Sequence, residues 1–169
     1  MGLVRLEPWG DGDLPLLRRL TGDPAMMEHL GGAESEAKLA DRQARYTAAR
    51  DPAVTGTFRI VEEASGEAAG WVGYWEHEWL GETTYEMGWS VLPEFQGRGI
   101  ARAAALAAIA VARAQRRHLY VHAFPSVGNP ASNAVCRAAG FTLLGEVDLE
   151  YPPGAMLRCN DWRLALSGS

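Results

Sequence analysis

The chain has 169 residues, of which 47% are hydrophobic, and its 16 basic and 21 acidic residues give a formal net charge of −5. This length and apolar content predict a single folded domain over residues 1–169, and the acidity argues against a nucleic-acid or anionic-membrane partner, since both favour a basic surface. Because Cys136 and Cys159 are too few for a disulfide framework and MGLVRLEPWG has no apolar signal core, a reduced, cytoplasmic setting is expected.

The first third of the chain predicts one strand followed by helices. Gly2–Trp9 carries apolar residues suited to a strand. Helices are expected over Leu14–Leu20, over residues 24–30, and from Ser35 to near Arg50, because glycine, aspartate and proline stand between these segments.

The remainder of the chain predicts a sheet with two further helices. Aromatic and β-branched residues separated by turn residues indicate three antiparallel strands. The predicted segments are strands at 57–63, 68–78 and 82–92, a helix at 98–115, a strand at 118–124, a helix at 129–140, and strands at Phe141–Leu149 and Met156–Leu166. This order predicts an α/β domain with a central, mostly antiparallel sheet.

A glycine-rich turn joins the third of those strands to the helix that follows it. Residues 91–105 read VLPEFQGRGIARAAA, which places two glycines where a helix begins. Helix N-termini leave amides unpaired, and a phosphate satisfies them; a tight turn with no ligand is the other interpretation. A P-loop would need Gly-Lys-Ser/Thr here, and a dinucleotide site would need a third glycine and an acid about 20 residues on, so both motifs are excluded.

Two segments around this turn resemble the GNAT superfamily of N-acetyltransferases. Gln96-x-x-Gly99-x-Ala101 is similar to its acyl-CoA signature Q/R-x-x-G-x-G/A, and Asn129-x-x-Ser132 followed by Gly140-Phe141 is similar to its later N-x-x-[AS]…G-F segment. The likeness is greatest to the branch that contains the ribosomal-protein N-terminal-alanine acetyltransferases. It implies a sheet of about seven strands that splays between the fourth and fifth, with about four flanking helices.

The resemblance also implies acetyl-CoA as co-substrate and no metal. The fourth-strand backbone would bind the pantetheine arm, the turn amides would hold the pyrophosphate with help from an arginine, and the later asparagine would contact the arm, cap its helix, or both. The implied cofactor-binding residues are Trp89, Ser90, Val91, Leu92, Gln96, Gly97, Arg98, Gly99, Ile100, Ala101, Arg102 and Asn129.

Glu86 stands where many family members carry the base that deprotonates the amine, although a solvated or ion-paired strand residue is the other interpretation. Strand alternation places it on one face with Gly88 and Ser90, and an amide near Val91 would bind the oxyanion. Cys136 occupies the position of the family's tyrosine acid, where a core residue is favoured over a proton donor. Three other groups could protonate the thiolate: Ser132, Tyr120 or water.

The acceptor end of the site is less well defined by the sequence. Trp71, Trp75, His77 and Trp79 share one strand face, which indicates either core packing or the border of an acceptor pocket, and His122 is a candidate second base. The sequence therefore predicts an acetyl-CoA-dependent N-acetyltransferase that acts on a primary amine in a ternary complex. Two alternatives are a non-catalytic acyl-CoA-binding module and an enzyme whose acceptor is a protein N-terminal amine. A small amine or peptide N-terminus is the expected partner, with no nucleic acid or membrane, and a homodimer is left open.

Overall fold

The computed structural model describes residues 2–167, so the ends of the predicted domain, Met1, Gly168 and Ser169, lie outside the described residues. Seven strands form one sheet in the order β1-β2-β3-β4-β5-β7-β6. The strands are β1 Val4–Pro8, β2 Thr55–Glu62, β3 Ala68–Trp79, β4 Glu82–Val91, β5 Tyr120–Ala123, β6 Thr142–Glu150 and β7 Met156–Ala165. The helices are α1 Leu14–Thr21, α2 Glu36–Ala48, α3 Ile100–Ala114 and α4 Pro130–Ala138. The predicted fold class and its mixed sheet are confirmed.

The sheet is split between β4 and β5. These two strands are parallel, whereas every other neighbouring pair is antiparallel. Their ladder contains only the pairs Tyr85↔Val121 and Glu86↔His122, yet β4 continues to Val91. The far end of β4 therefore has β3 on one side and an open gap on the other, which confirms the predicted splay.

Helix α3 packs against the sheet through a stripe of small and branched side chains. Ile100, Ala104, Ala105, Ala108, Ile109 and Ala112 are buried, and their spacing of three or four residues places them on one helix face. From β4 and β5, Tyr85, Val121 and Ala123 are buried in the same core. Because side chains alternate along a strand, Glu86 and His122 lie on the opposite face of the sheet.

One of the predicted helices is wrong. Residues 24–30 form consecutive turns, in which the Met27 amide bonds to the Asp23 carbonyl and the Leu30 amide bonds to the Met27 carbonyl. A segment this short cannot offset the cost of helix nucleation, and Gly31 at φ 90° directs the chain away from a helical path. Among residues 2–167, no helix has both the length and the hydropathy of a membrane span.

Candidate active site

A cavity of about 1780 Å³ occupies the gap between β4 and β5. The second half of β4, the start of α3 and the start of α4 line one part of it. The turns at 25–30, α2 and the indoles of β3 line the other part. The split in the sheet thus creates one cavity with two ends, one next to α3 and α4 and the other next to α2 and the turns at 25–30.

The turn before α3 presents bare backbone amides to this cavity. Gly97 and Gly99 have φ angles of 76° and 78°, in the left-handed region that favours glycine. The first main-chain hydrogen bond of α3 runs from the Ala103 amide to the Gly99 carbonyl. Within residues 2–167, the amides from Gly97 to Arg102 therefore have no backbone partner. A Cβ added at Gly97 would have no atom within 4 Å. The turn is therefore an open cradle of the kind that binds a diphosphate.

Gln96 holds the end of β4 in place beside this turn. Its Nε2 donates a hydrogen bond of 2.9 Å to the Val91 carbonyl, and the Leu92 amide donates one of 2.8 Å to the Ala69 carbonyl of β3. Since the polar groups of successive strand residues face opposite sides, the Val91 amide points away from β3. It faces the gap, where an oxyanion or an acyl carrier could accept its hydrogen bond.

The two arginines of the turn point in different directions. Arg98 pairs with Glu62 at 3.2 Å, lies over the Phe95 ring at 5.4 Å and does not line the cavity. Arg102 lines the cavity and donates a hydrogen bond of 3.2 Å to the Ala138 carbonyl. Of these two side chains, that of Arg102 is the one that lines the cavity.

Asn129 and Ser132 line the cavity from the start of α4. The Asn129 Oδ1 accepts a hydrogen bond of 3.1 Å from the Ser132 amide, which confirms the predicted N-cap. Sequence reasoning missed Asn133, whose side chain donates to the carbonyls of Ser126 and Asn129 and accepts from Asn160 and Trp162. No local motif could indicate this role, because two of its partners lie on β7.

Glu86 is half-buried in the wall of the cavity and makes no ion pair within residues 2–167. Burial raises the pKa of Glu86 to about 7, while a hydrogen bond from the Trp75 indole and the neighbouring His122 act in the opposite direction. The ion-paired interpretation of this residue is therefore wrong. A carboxylate with this pKa can both accept and release a proton near neutral pH.

Two of the candidate acids are excluded from the cavity. Cys136 is fully buried in the core, and burial raises the pKa of its thiol to about 12. Tyr120 carries the Arg163 guanidinium over its ring at 4.2 Å and does not line the cavity. The core interpretation of Cys136 is confirmed, and Ser132 is the remaining candidate side chain at the cavity.

Aromatic rings form one wall at the acceptor end. Trp71, Trp75 and His77 line the cavity, and Trp71 stacks on Tyr46 of α2 at 5.3 Å. Trp79 does not line it, because its indole donates to Asp161 at 3.1 Å. Tyr46 was missed by sequence reasoning, since its place on a polar helix gave no sign that it faces the sheet.

The split sheet, the open amide turn and the titratable carboxylate within one cavity define an enzyme of the acyltransferase class. A family model described as "Acetyltransferase (GNAT) domain" matches residues 4–142. The chain belongs to the GNAT acetyltransferase family. Within residues 2–167, no group of three or more His, Cys, Asp or Glu side chains is placed to hold a metal ion.

Solved structures share this fold at low sequence identity. A spermidine N-acetyltransferase from Vibrio cholerae in complex with CoA and spermine has a TM-score of 0.78 and 18% identity, with 98% of this chain and 96% of that chain covered. A ribosomal-protein-S5-alanine acetyltransferase from Vibrio fischeri has a TM-score of 0.79 and 18% identity over 99% of this chain and 95% of that one. An aminoglycoside acetyltransferase in complex with coenzyme A has a TM-score of 0.75 and 17% identity over 96% and 94%.

Proposed function

We propose that the protein transfers the acetyl group of acetyl-CoA to a primary amine by direct attack in a ternary complex. The observation that carries this proposal is that Glu86 lines the same cavity as Gly97 and the residues from Gly99 to Arg102, whose amides have no backbone partner. One end of that cavity fits a diphosphate, and the other holds a base of suitable pKa.

The residues present fit a CoA thioester. The amides of the turn and the Arg102 side chain would hold the pyrophosphate, while the free edge of β4 from Trp89 to Val91 and the side chain of Asn129 would hold the arm. Two of the structural neighbours were solved with CoA, which supports this ligand. When bound, acetyl-CoA supplies an activated acetyl thioester.

Glu86 is the proposed base. An ammonium has no lone pair with which to attack, so it must lose a proton first, and the Glu86 carboxylate accepts that proton directly or through one water. Trp75 and Gly88 line the cavity beside it, where the amine would approach the gap. The Val91 amide faces the gap and donates a hydrogen bond to the oxygen on which negative charge develops.

Ser132 is the proposed donor to the departing thiolate, with water as the alternative. It follows Asn129 and Pro130 at the start of α4 and lines the cavity. Cys136 has no part in the transfer, because a thiol buried in the core with a pKa of about 12 is neither an acid nor a nucleophile near neutral pH.

Thiol release from acetyl-CoA with a panel of amines tests the proposal. The panel contains polyamines, aminoglycosides, amino acids and peptides with a free N-terminus. The wild type should release thiol with at least one of them, and Glu86→Gln should lower kcat by about 10²-fold or more, as expected for loss of a general base. Glu146→Gln is the matched control, since Glu146 is an exposed carboxylate paired with Arg158 away from the cavity.

The same assay separates the alternatives. Binding of CoA with no turnover of any amine would favour a non-catalytic acyl-CoA-binding module, for which the absence of a tyrosine at position 136 is the supporting observation. Preference for peptides would identify a protein N-terminal amine as the acceptor. Cys136→Ala should keep the wild-type rate, which would exclude a covalent acyl carrier at this position.

A further inference from the structure

A second titratable pair lies beside Glu86 on the same face of the sheet. His122 is the register partner of Glu86 across the two-residue ladder, and its Nδ1 lies 2.6 Å from Oδ1 of Asp161 on β7. Both side chains are buried, with exposed fractions of 8% and 5%. A buried carboxylate at this distance holds the ring with Nδ1 as the donor, which leaves the Nε2 lone pair available to accept a proton.

Asp161 is fixed from two sides. Its Oδ2 accepts a hydrogen bond of 3.1 Å from the Trp79 indole, while its Oδ1 contacts His122. The His122 ring also stacks on Phe124 at 5.6 Å with an angle of 9° between the planes. The imidazole is therefore held in one orientation by a carboxylate on one side and an aromatic face on another.

Titratable and charged groups surround His122 on three strands. Val121 and Ala123 point into the core on the other face, so the His122 side chain lies on the face of Glu86. The titratable and charged groups that face it from the packed strands are His77 of β3, Glu86 of β4, and Cys159, Asp161 and Arg163 of β7. Burial and His122 lower the pKa of His77, and Arg163 is turned onto the Tyr120 ring.

We propose that His122, oriented by Asp161, is the second proton carrier of the site and returns Glu86 to its ionised state. This rests on the proposed function of Glu86. The amine N–H bond breaks as the Glu86 O–H bond forms. The proton then passes to Nε2 of His122, directly or through one water, to give Glu86 carboxylate and an imidazolium paired with Asp161. His122 does not itself line the cavity, but 8% of its side chain is exposed, and release of that proton to solvent restores the neutral imidazole.

The first test measures the titration of Glu86 itself, without a substrate. Carbon NMR of the labelled Glu86 carboxyl group gives its midpoint in the wild type and in His122→Gln. Because a positive His122 lowers the pKa of Glu86, its removal should move the midpoint to higher pH by about one unit. Asp161→Asn should move it in the same direction, because without the Asp161 carboxylate the His122 ring accepts a proton from Glu86 less readily.

His118→Gln is the matched control. His118 is a half-buried histidine that also pairs with a carboxylate, Glu76, at 2.8 Å, yet neither residue lines the cavity. Its removal should leave the Glu86 midpoint unchanged. An unchanged midpoint in both His122→Gln and Asp161→Asn would overturn the proposal, and Asp161→Asn serves alone if His122→Gln fails to fold.

The second test distinguishes proton transfer from a structural role. His122→Ala should lower kcat by about 100-fold, the lower end of what a positioned proton-transfer group contributes, with the KM for acetyl-CoA unchanged. Added imidazole should restore part of the rate, whereas an inactive variant that imidazole does not rescue would contradict the relay. If the wild type turns over no amine, the proposed function fails and the relay fails with it, while the Glu86 titration still shows whether His122 and Asp161 control the protonation of Glu86.

Discussion

Glu86 is a carboxylate whose surroundings oppose its charge. It lies beside Trp75, half-buried, and burial raises its pKa to about 7. Alternation along β4 is sufficient to place it on the face of Gly88 and Ser90, so its location was predictable from the sequence. Its pKa was not, because the burial depends on α2 and β3 closing over the cavity.

Replacing Glu86 with glutamine should stabilise the protein at alkaline pH. The pKa of Glu86 is raised in the folded state, so its contribution to stability is present below the unfolded pKa of 4.5 and is lost as pH rises towards 7. A glutamine at position 86 stays neutral at every pH and does not lose this stability. The free energy of unfolding of Glu86→Gln should therefore exceed that of the wild type by about 2 kcal/mol at pH 8. Urea unfolding at pH 4 and pH 8 measures this difference between variant and wild type. The same difference in free energy of unfolding at both pH values would contradict a raised pKa of Glu86.

The His122–Asp161 pair marks the limit of sequence reasoning at the level of single residues. His122 was a candidate base from its strand position alone. Asp161 was not singled out, because its pairing with β5 requires the antiparallel register of β5 with β7, which joins residues far apart in the chain. Contacts of that range are set by the assembled sheet and have no local pattern.

At the scale of elements, the turn before α3 combines a backbone requirement with a ligand requirement. Gly97→Ala should weaken CoA binding by about tenfold or more. An alanine at this positive φ would be strained by about 1–2 kcal/mol, and the relaxed turn would no longer hold its amides in place. Isothermal titration with CoA measures the loss.

Gly81→Ala is the control for this variant. Gly81 has a φ of 82°, and a Cβ there also meets no atom within 4 Å, but it lies in the β3–β4 turn away from the cavity. Both variants should lose a similar amount of stability, and only Gly97→Ala should lose affinity. Equal affinity in the two variants would show that the turn does not hold the diphosphate.

Asn133 ties α4 to β7. Its side chain makes hydrogen bonds of 2.8–3.0 Å to four partners, of which two are the carbonyls of Ser126 and Asn129. Asn133→Ala should lower the free energy of unfolding by about 2–3 kcal/mol, since it leaves the indole N–H of the buried Trp162 without its acceptor, and should also weaken CoA binding through Asn129. Thermal unfolding and CoA titration check both effects. A variant with the wild-type melting temperature and the wild-type affinity for CoA would show that Asn133 does not hold α4 against β7.

Local patterns predicted most elements and failed where the chain makes only turns. Alternation and capping residues located α1, α2, α4 and the three strands of the central meander, because those signals lie within each segment. Residues 24–30 were assigned to a helix from their composition. The backbone conformation of this segment depends on its packing over the cavity and on the glycines that follow. It could therefore not be predicted from the segment alone.

At the scale of the whole molecule, the sheet consists of two parts joined by a short ladder. Strands β1 to β4 form one antiparallel part and β5 to β7 the other, and among residues 2–167 the ladder between β4 and β5 has only two residue pairs. The family resemblance predicted this split, whereas hydrophobic periodicity alone predicted only a mixed sheet. A ligand that lies in the gap and contacts both parts should therefore stabilise the whole fold.

Saturating CoA should raise the melting temperature and slow amide exchange on the open side of β4. At a concentration of 100 times its dissociation constant, a ligand that binds only the folded state adds about 2.7 kcal/mol, which corresponds to about 5–10 °C for a protein of this size. Val91 should gain protection, because its amide faces the gap, while Leu92 should change little, because its amide already bonds to Ala69. Differential scanning fluorimetry and hydrogen exchange measure the two effects. Stabilisation without added protection at Val91 would place CoA outside the gap and contradict the proposed position of the pantetheine arm.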